Sequence, residues 1–439
     1  MRFYNREKEI AILQEIQMSS LQNAQMTVVT GRRRIGKTQL LLKATEGQPT
    51  LYFFVARKSE ALLCQDFQQE IKEKLSIHTV GRVESFGELF EYLMQLSKKQ
   101  PFNLIIDEFQ EFYTVAPSVY SEMQHHWDLN KEESRINLLL SGSVYSLMHK
   151  IFQGAKEPLF GRASARLIVK PFATTVLKEI LADHNPQYSA EDLLALYAFT
   201  GGVAKYVQLL MDAGATTFEK MIDYIVREDS IFLAEGKNML IDEFGKEYTN
   251  YFSILSSIAR GENTRAKIEA IIGREIGGYL TKLESDYSLI AKSMPLYSKT
   301  TSKNVRYLLG DNFLMFWFRF IYKYSYIIEV SNYKLLSEIV KRDYSTFSGI
   351  ILERYFVQQF KEQQKYSRIG GYWDRKGENE IDIIAVDDLT NEVDIVEVKR
   401  NKSSYSEDAL RVKIAHILTK LNELKGYKVN VVGLSMEDM

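Results

Sequence analysis

The chain has 439 residues, room for roughly three domains. With 45% apolar and 26% charged residues it has the balance of an ordinary globular protein, which excludes a disordered, collagenous or disulfide-stapled chain. Lys and Arg number 56 against 57 Asp and Glu, a net charge of −1, so any nucleic-acid contact must rest on a local patch.

The one cysteine, Cys64, excludes an internal disulfide and fits a reducing compartment. Met1 to Glu9 carries charges where a signal peptide needs an apolar stretch, and the greasiest run, Phe313 to Tyr322, is ten residues long and contains Arg319. The expected location is the cytoplasm, with no membrane association.

Residues 1–170 alternate strand and helix patterns. Met26–Thr30, Leu51–Val55, Leu104–Ile106 and Ile136–Leu140 read as buried strands between helical segments, the pattern of a parallel sheet covered on both faces. Residues 171–244 read as a helical lid. Residues 245–310 read as three short helices (Tyr251–Ala259, Arg265–Ile272, Arg274–Leu283) and a ribbon around Ser298–Asn304, the order of a winged helix-turn-helix. Residues 311–346 read as an aromatic helical connector. From Phe347 the predicted order is α-β-β-β-α-β: helix Phe347–Phe360, strands near Arg368–Trp373, Ile381–Val386 and Val393–Val398, helix Ala409–Leu424 and strand Lys428–Val432.

Gly31-Arg32-Arg33-Arg34-Ile35-Gly36-Lys37-Thr38 matches the phosphate-binding loop at every fixed position. The glycines let backbone N–H groups curl around phosphate oxygens, Lys37 places a cation on the β- and γ-phosphates, and Thr38 offers a hydroxyl to Mg²⁺. Gln39 opens the following helix. Seventy residues beyond Lys37, a buried strand ends in Asp107 and Glu108. Asp107 is the expected Mg²⁺ ligand and Glu108 the group that polarises the attacking water. Ser141, at the tip of the next strand, is expected as a polar sensor of the γ-phosphate; a plain helix cap is the alternative. Arg162 is a candidate arginine finger for a neighbouring subunit's nucleotide, and Arg166 a weaker one.

With these motifs the chain resembles the bacterial and archaeal AAA-type ATPases of the wider STAND-like group, which carry a winged helix and a C-terminal restriction-endonuclease-like domain. The resemblance extends over nearly the whole chain. It includes Phe3-Tyr4-Asn5-Arg6-Glu7, which in such proteins lies near the adenine, and Thr200-Gly201-Gly202-Val203-Ala204-Lys205-Tyr206, a lid motif in which relatives usually have proline where Ala204 stands. It implies a P-loop NTPase core (1–170), lid (171–244), winged helix (245–310), connector (311–346) and nuclease-like domain (347–439). ATP with Mg²⁺ is the implied cofactor, and an oligomer the implied active form.

Residues 246–310 sum to a net +4, and the ribbon supplies Lys292, Lys299, Lys303 and Arg306, a charge that suits phosphates. The third helix has mixed charge and two glycines, a poor base-reading face, so an interdomain packing surface is the alternative. The run Asn312 to Phe320 invites a single-strand stacking role, but aromatics this dense on one helix read as core.

Near the C-terminus, Glu353 lies on a helix, Asp382 at the start of one strand, and Glu397 and Lys399 at the end of the next. Residues two apart on a strand share a face, so Glu397 and Lys399 point the same way. Asp382 and Glu397 make an oxygen-rich site for Mg²⁺ or Mn²⁺, Lys399 orients or deprotonates a water, and Glu353 holds a water or a second metal. The pattern is similar to the Asp … Glu-x-Lys nuclease core. Trp373, within Gly371-Tyr372-Trp373-Asp374-Arg375-Lys376-Gly377, reads as core. The expected function is ATP hydrolysis coupled to a metal-dependent phosphodiesterase acting on DNA, in defence against foreign DNA or another DNA-processing event. The alternatives are an ATP-driven switch with a non-catalytic nuclease-like platform and, ranked last, a DNA translocase.

Overall fold

The computed structural model describes residues 1–77, 81–245, 248–299, 301–374, 377 and 379–439. They fall into two compact units, Asn5–Lys170 and Met1–Tyr4 with Pro171–Met439.

In the first unit, β1 (Gln25–Thr30), β2 (Thr50–Phe54), β3 (Phe102–Asp107), β4 (Ile136–Gly142) and β5 (Ala165–Ile168) form a sheet in the order β2-β3-β4-β1-β5. Every pair is parallel. Both β3 and β4 are buried along their whole length, which explains their continuous apolar runs. Two polar residues interrupt them at matching positions. Asn103 and Asn137 are register partners, and the Asn137 side-chain amide donates to Asn103 Oδ1 at 2.9 Å, so the pair pins the register from inside the core. Sequence pattern missed β5, a four-residue edge strand whose side chains alternate between half-buried and exposed.

In the second unit, helices Thr174–His184, Ala190–Thr200, Ala204–Asp212, Phe218–Ile225 and Ile231–Phe244 come first. Gly201 ends the second of these in the left-handed region at φ 58°. Ala204 is the first helical residue of the third, a position where proline is favoured because its missing N–H is not needed. Helices Tyr248–Ala259, Arg265–Ile272 and Gly277–Ser285 follow, then the antiparallel pair β6 (Ile290–Ser293) and β7 (Arg306–Leu309).

Two expectations change here. The third helix starts at Gly277 rather than Arg274, and the ribbon strands flank Ser298–Asn304 instead of occupying it. That segment belongs to the connecting loop, with Thr300 outside the described residues. The loop packs on the sheet that follows. Leu296 N–H donates to the Gly371 carbonyl at 2.9 Å, and Asn304 exchanges two hydrogen bonds of 3.1 Å with Trp373.

The aromatic run is core, as its density implies: Phe313, Phe316, Trp317, Phe318 and Phe320 are all buried. Residues Trp317–Tyr322 form a π-helical turn. The helix expected over Phe347–Phe360 is one 30-residue helix, Tyr333–Glu362, so the expected boundary at 346/347 falls inside a continuous element. Nor do lid, ribbon, connector and C-terminal segments separate, because they share one compact unit.

The last sheet has β8 (Arg368–Trp373), β9 (Glu380–Asp387), β10 (Glu392–Val398) and β11 (Lys428–Leu434) in the order β11-β10-β9-β8. Only β10 and β11 run parallel. The helix between them, Glu407–Leu418, is shorter than expected; Ser406 caps its start and a separate turn, Asn422–Leu424, follows its end.

Candidate nucleotide and carboxylate sites

The loop after β1 turns sharply. A side chain on Gly31 would lie 2.7 Å from the Val169 carbonyl oxygen. Gly36 sits at φ 97°, immediately before helix Lys37–Ala44, and Arg34 also takes positive φ. Ile35 is buried and anchors the turn. Arg32 and Arg34 are half-buried, while Arg33 and Gln39 are exposed.

Lys37 is buried, and its ammonium donates to the carbonyls of Gly31 (3.0 Å) and Arg32 (3.3 Å). Burial lowers its pKa; the carboxylates of Glu108 and Asp107 oppose that shift and Arg33 adds to it. Thr38 donates its hydroxyl proton to Asp107 Oδ2 at 2.6 Å. The Glu108 N–H donates to Asp107 Oδ1 at 3.0 Å.

Glu108 itself is left-handed at φ 52°, and its Oε2 accepts from Gln110 Nε2 (2.6 Å) and Ser143 Oγ (2.7 Å). Ser141 is fully buried, and its Oγ has no hydrogen-bond partner among the described residues. A buried hydroxyl without a partner at the tip of β4 suits an incoming polar ligand. Lysine, hydroxyl, two acids and this orphan hydroxyl are the donor set a Mg²⁺-nucleotide needs.

Arg162 is not extended from the surface. Its guanidinium meets Asp128 at 2.7 Å and the Pro158 carbonyl at 2.6 Å. Arg166 donates to the Phe152 carbonyl at 2.7 Å. Arg6 is buried, donating to Glu9 (3.0 Å) and the Lys170 carbonyl (2.7 Å). In the second unit, Tyr4 donates to Asp183 at 2.8 Å, and Lys205 is exposed beside Gln208.

The C-terminal carboxylates gather at one end of β9 and β10. The ladder pairs Val396 with Ile383. One step on, Asp382 Oδ2 accepts the Val398 N–H at 2.7 Å. Glu397 Oε1 accepts from Lys399 (2.9 Å) and Lys413 (3.1 Å). Lys413, on helix Glu407–Leu418, was not expected from the strand pattern; it is a residue of a third element brought to the site.

Burial raises Glu353 to a pKa of about 8, with the charges of Asp382 and Glu380 adding to the effect. Burial likewise raises Asp382, although the Val398 N–H and Lys399 oppose it. Glu397 is lowered: its two lysine partners outweigh its burial. Lys399 is raised, since Glu397, Asp382 and Glu353 outweigh its burial. Among the described residues no group of three or more His, Cys, Asp or Glu side chains is arranged to hold a metal ion. Asp382 and Glu397 supply two carboxylates.

The basic ribbon is partly spent. Lys292 pairs with Glu284 at 3.1 Å, and Arg306 pairs with Glu380 at 2.6 Å while lying over the Trp373 ring. Lys299 and Lys303 are exposed. Trp373 is buried, as expected; Arg375 and Lys376 of its segment lie outside the described residues. No helix among the described residues is long and apolar enough to cross a membrane.

Residues 3–210 match a family described as an ATPase domain predominantly from Archaea, and residues 317–411 match a family of archaeal and bacterial proteins of unknown function. An uncharacterised protein of Methanocaldococcus jannaschii is 28% identical over 407 residues, 90% of this chain and 87% of that one. Among solved structures, the Walker-type ATPase of Pyrococcus abyssi superposes with a TM-score of 0.54 at 19% identity, covering 72% of this chain and 96% of its own. Residues 3–210 are therefore similar to an ATPase domain, and the parallel five-stranded sheet they contain shares the fold of that Walker-type ATPase.

Proposed function

We propose that the first unit hydrolyses ATP and that its nucleotide state governs a metal-dependent phosphodiesterase at the C-terminal carboxylates, acting on DNA. The observation that carries the nucleotide half is the Thr38–Asp107 hydrogen bond at 2.6 Å beside buried Lys37. Thr38 and Asp107 hold Mg²⁺, which when bound neutralises charge developing on the phosphates. Lys37 leaves the Gly31 and Arg32 carbonyls to bind the β- and γ-phosphates. Glu108 exchanges one of its two donors for the attacking water and orients it. Ser141 donates to the γ-phosphate. In an oligomer Arg162 of one copy completes the site of the next, which requires it to leave Asp128.

At the second site Asp382 and Glu397 hold Mg²⁺ or Mn²⁺, which activates a water when bound. Glu397 must trade a lysine for the cation. Lys399 is then free to orient the water, and Glu353 holds a water or a second metal. This reading takes residues 347–439 as a restriction-endonuclease-like domain and residues 245–310 as a winged helix docked on β8.

A second reading is favoured by the two lysines that already neutralise Glu397: an ATP-driven switch whose nuclease-like sheet is a non-catalytic platform. Cleavage of supercoiled plasmid with Mg²⁺ or Mn²⁺, with and without ATP, tests both. The first reading expects wild type to nick and Asp382→Ala to stop nicking while ATP hydrolysis continues; Lys37→Ala reports whether nucleotide gates it. No cleavage under any condition, with ATP still hydrolysed, supports the switch.

A further inference from the structure

We infer that Tyr52 is a positioning residue for the Mg²⁺-nucleotide: its hydroxyl fixes Asp107 so that Thr38 keeps a lone pair aimed at the cation. The inference rests on the reading of Thr38 and Asp107 as the Mg²⁺ site. Tyr52 lies on β2, one strand away from the acidic strand β3, and no phosphate-loop pattern includes it.

Its register partner on β3 is Ile105, and Asp107 lies opposite Phe54. Residues two apart on a strand share a face, so Tyr52 lies on the same side of the sheet as Asp107's partner. The phenol spans that one step. Its Oη donates to Asp107 Oδ2 at 2.9 Å, the same oxygen that takes the Thr38 proton at 2.6 Å. The Glu108 N–H occupies Asp107 Oδ1 at 3.0 Å. Three donors from three elements therefore fix both carboxylate oxygens.

The chemistry of the hydroxyl follows from that arrangement, which leaves one lone pair of Asp107 Oδ1 for the cation. A threonine Oγ has one proton and two lone pairs. With its proton committed to Asp107, only the lone pairs remain for other partners, and a hard cation takes lone pairs. If Asp107 turned, Thr38 would be free to rotate and point its proton into the cation position. The Tyr52 hydroxyl removes that freedom.

Tyr52→Phe removes the hydroxyl and keeps the ring. Binding of a fluorescent ATP analogue is measured with Mg²⁺ and with EDTA, for wild type, Tyr52→Phe, Asp107→Asn and the double variant; thermal melting reports folding. Loss of a hydrogen bond to a charged group predicts roughly tenfold weaker Mg²⁺-dependent binding in Tyr52→Phe. Binding in EDTA should be unchanged, and Tyr52→Phe should add little in the Asp107→Asn background. Equal weakening with and without Mg²⁺, or additive losses in the double variant, would mean a structural role and overturn the inference. Mg²⁺-dependent binding of Tyr52→Phe equal to wild type would also overturn it. Absence of any Mg²⁺ effect in wild type would instead sink the Mg²⁺-site reading beneath it.

Discussion

Glu353 offers a sharp test of the carboxylate site that needs no substrate. Its carboxyl is held at a pKa of about 8 by burial and by Asp382 and Glu380, against the partial relief of Lys399 and Arg354. An unfolded chain would release that proton near pH 4, about the ordinary value for glutamate. Between those limits the folded protein holds a proton that the unfolded one has lost. Unfolding then releases a proton, so the stability Glu353 confers is complete at acid pH and is lost as pH rises toward 8. One full proton corresponds to about 1 kcal/mol per pH unit. For a unit of this size that is about 2–4 °C of melting temperature per pH unit.

Melting curves from pH 5.5 to 7.5, in EDTA, should fall for wild type. Glu353→Gln keeps the shape without the ionisation and should flatten the curve, leaving the smaller slope that raised Asp382 contributes in the same direction. A wild-type melting temperature that is level or rising over that range, with Glu353→Gln parallel to it, would refute the argument.

Gly433 is required by Tyr405, whose ring lies 2.6 Å from where a β-carbon would stand. Gly433→Ala should therefore cost about 1–3 kcal/mol by chemical denaturation, and Tyr405→Ala in the same chain should recover part of that loss. Arg306→Ala removes both the ion pair with Glu380 and the stacking on Trp373, so it should cost about 1–2 kcal/mol in a melt. Lys303→Ala, at an exposed position of the loop before β7, should leave the melting temperature within about 1 °C of wild type.

The phosphate loop and the acids of β3 are legible because one short segment carries each constraint: glycines for the turn, an apolar run for the buried strand, acids at its end. Asp382, Glu397 and Lys399 are legible for a related reason, since period-two alternation puts Glu397 and Lys399 on one face. Tyr52, Ser143, Gln110 and Lys413 reach their partners across strand order or from another element, and no local spacing encodes that. The ribbon expected around Ser298–Asn304 differs because its short strands flank that segment, pairing Lys292 with Tyr307 and Ile290 with Leu309. The helix expected over Phe347–Phe360 falls short for another reason. A pattern read in short windows does not register that Tyr333–Glu362 is one helix.

That helix is about 45 Å long, and it is tied at two points with a carboxyl between them. Ser348 meets Arg400, the residue that follows Lys399; Glu353 lies within reach of the charge on Asp382; Glu362 accepts the Thr174 N–H at 3.0 Å and the Thr174 hydroxyl at 2.7 Å. At about 100° of turn per residue Ser348 and Glu362 lie within about 40° of each other around the axis, about four turns apart, while Glu353 faces roughly the opposite side. The helix is a strut. One rigid element therefore links the start of helix Thr174–His184, through Glu362, to the residue after the β10 acid-lysine pair, through Ser348.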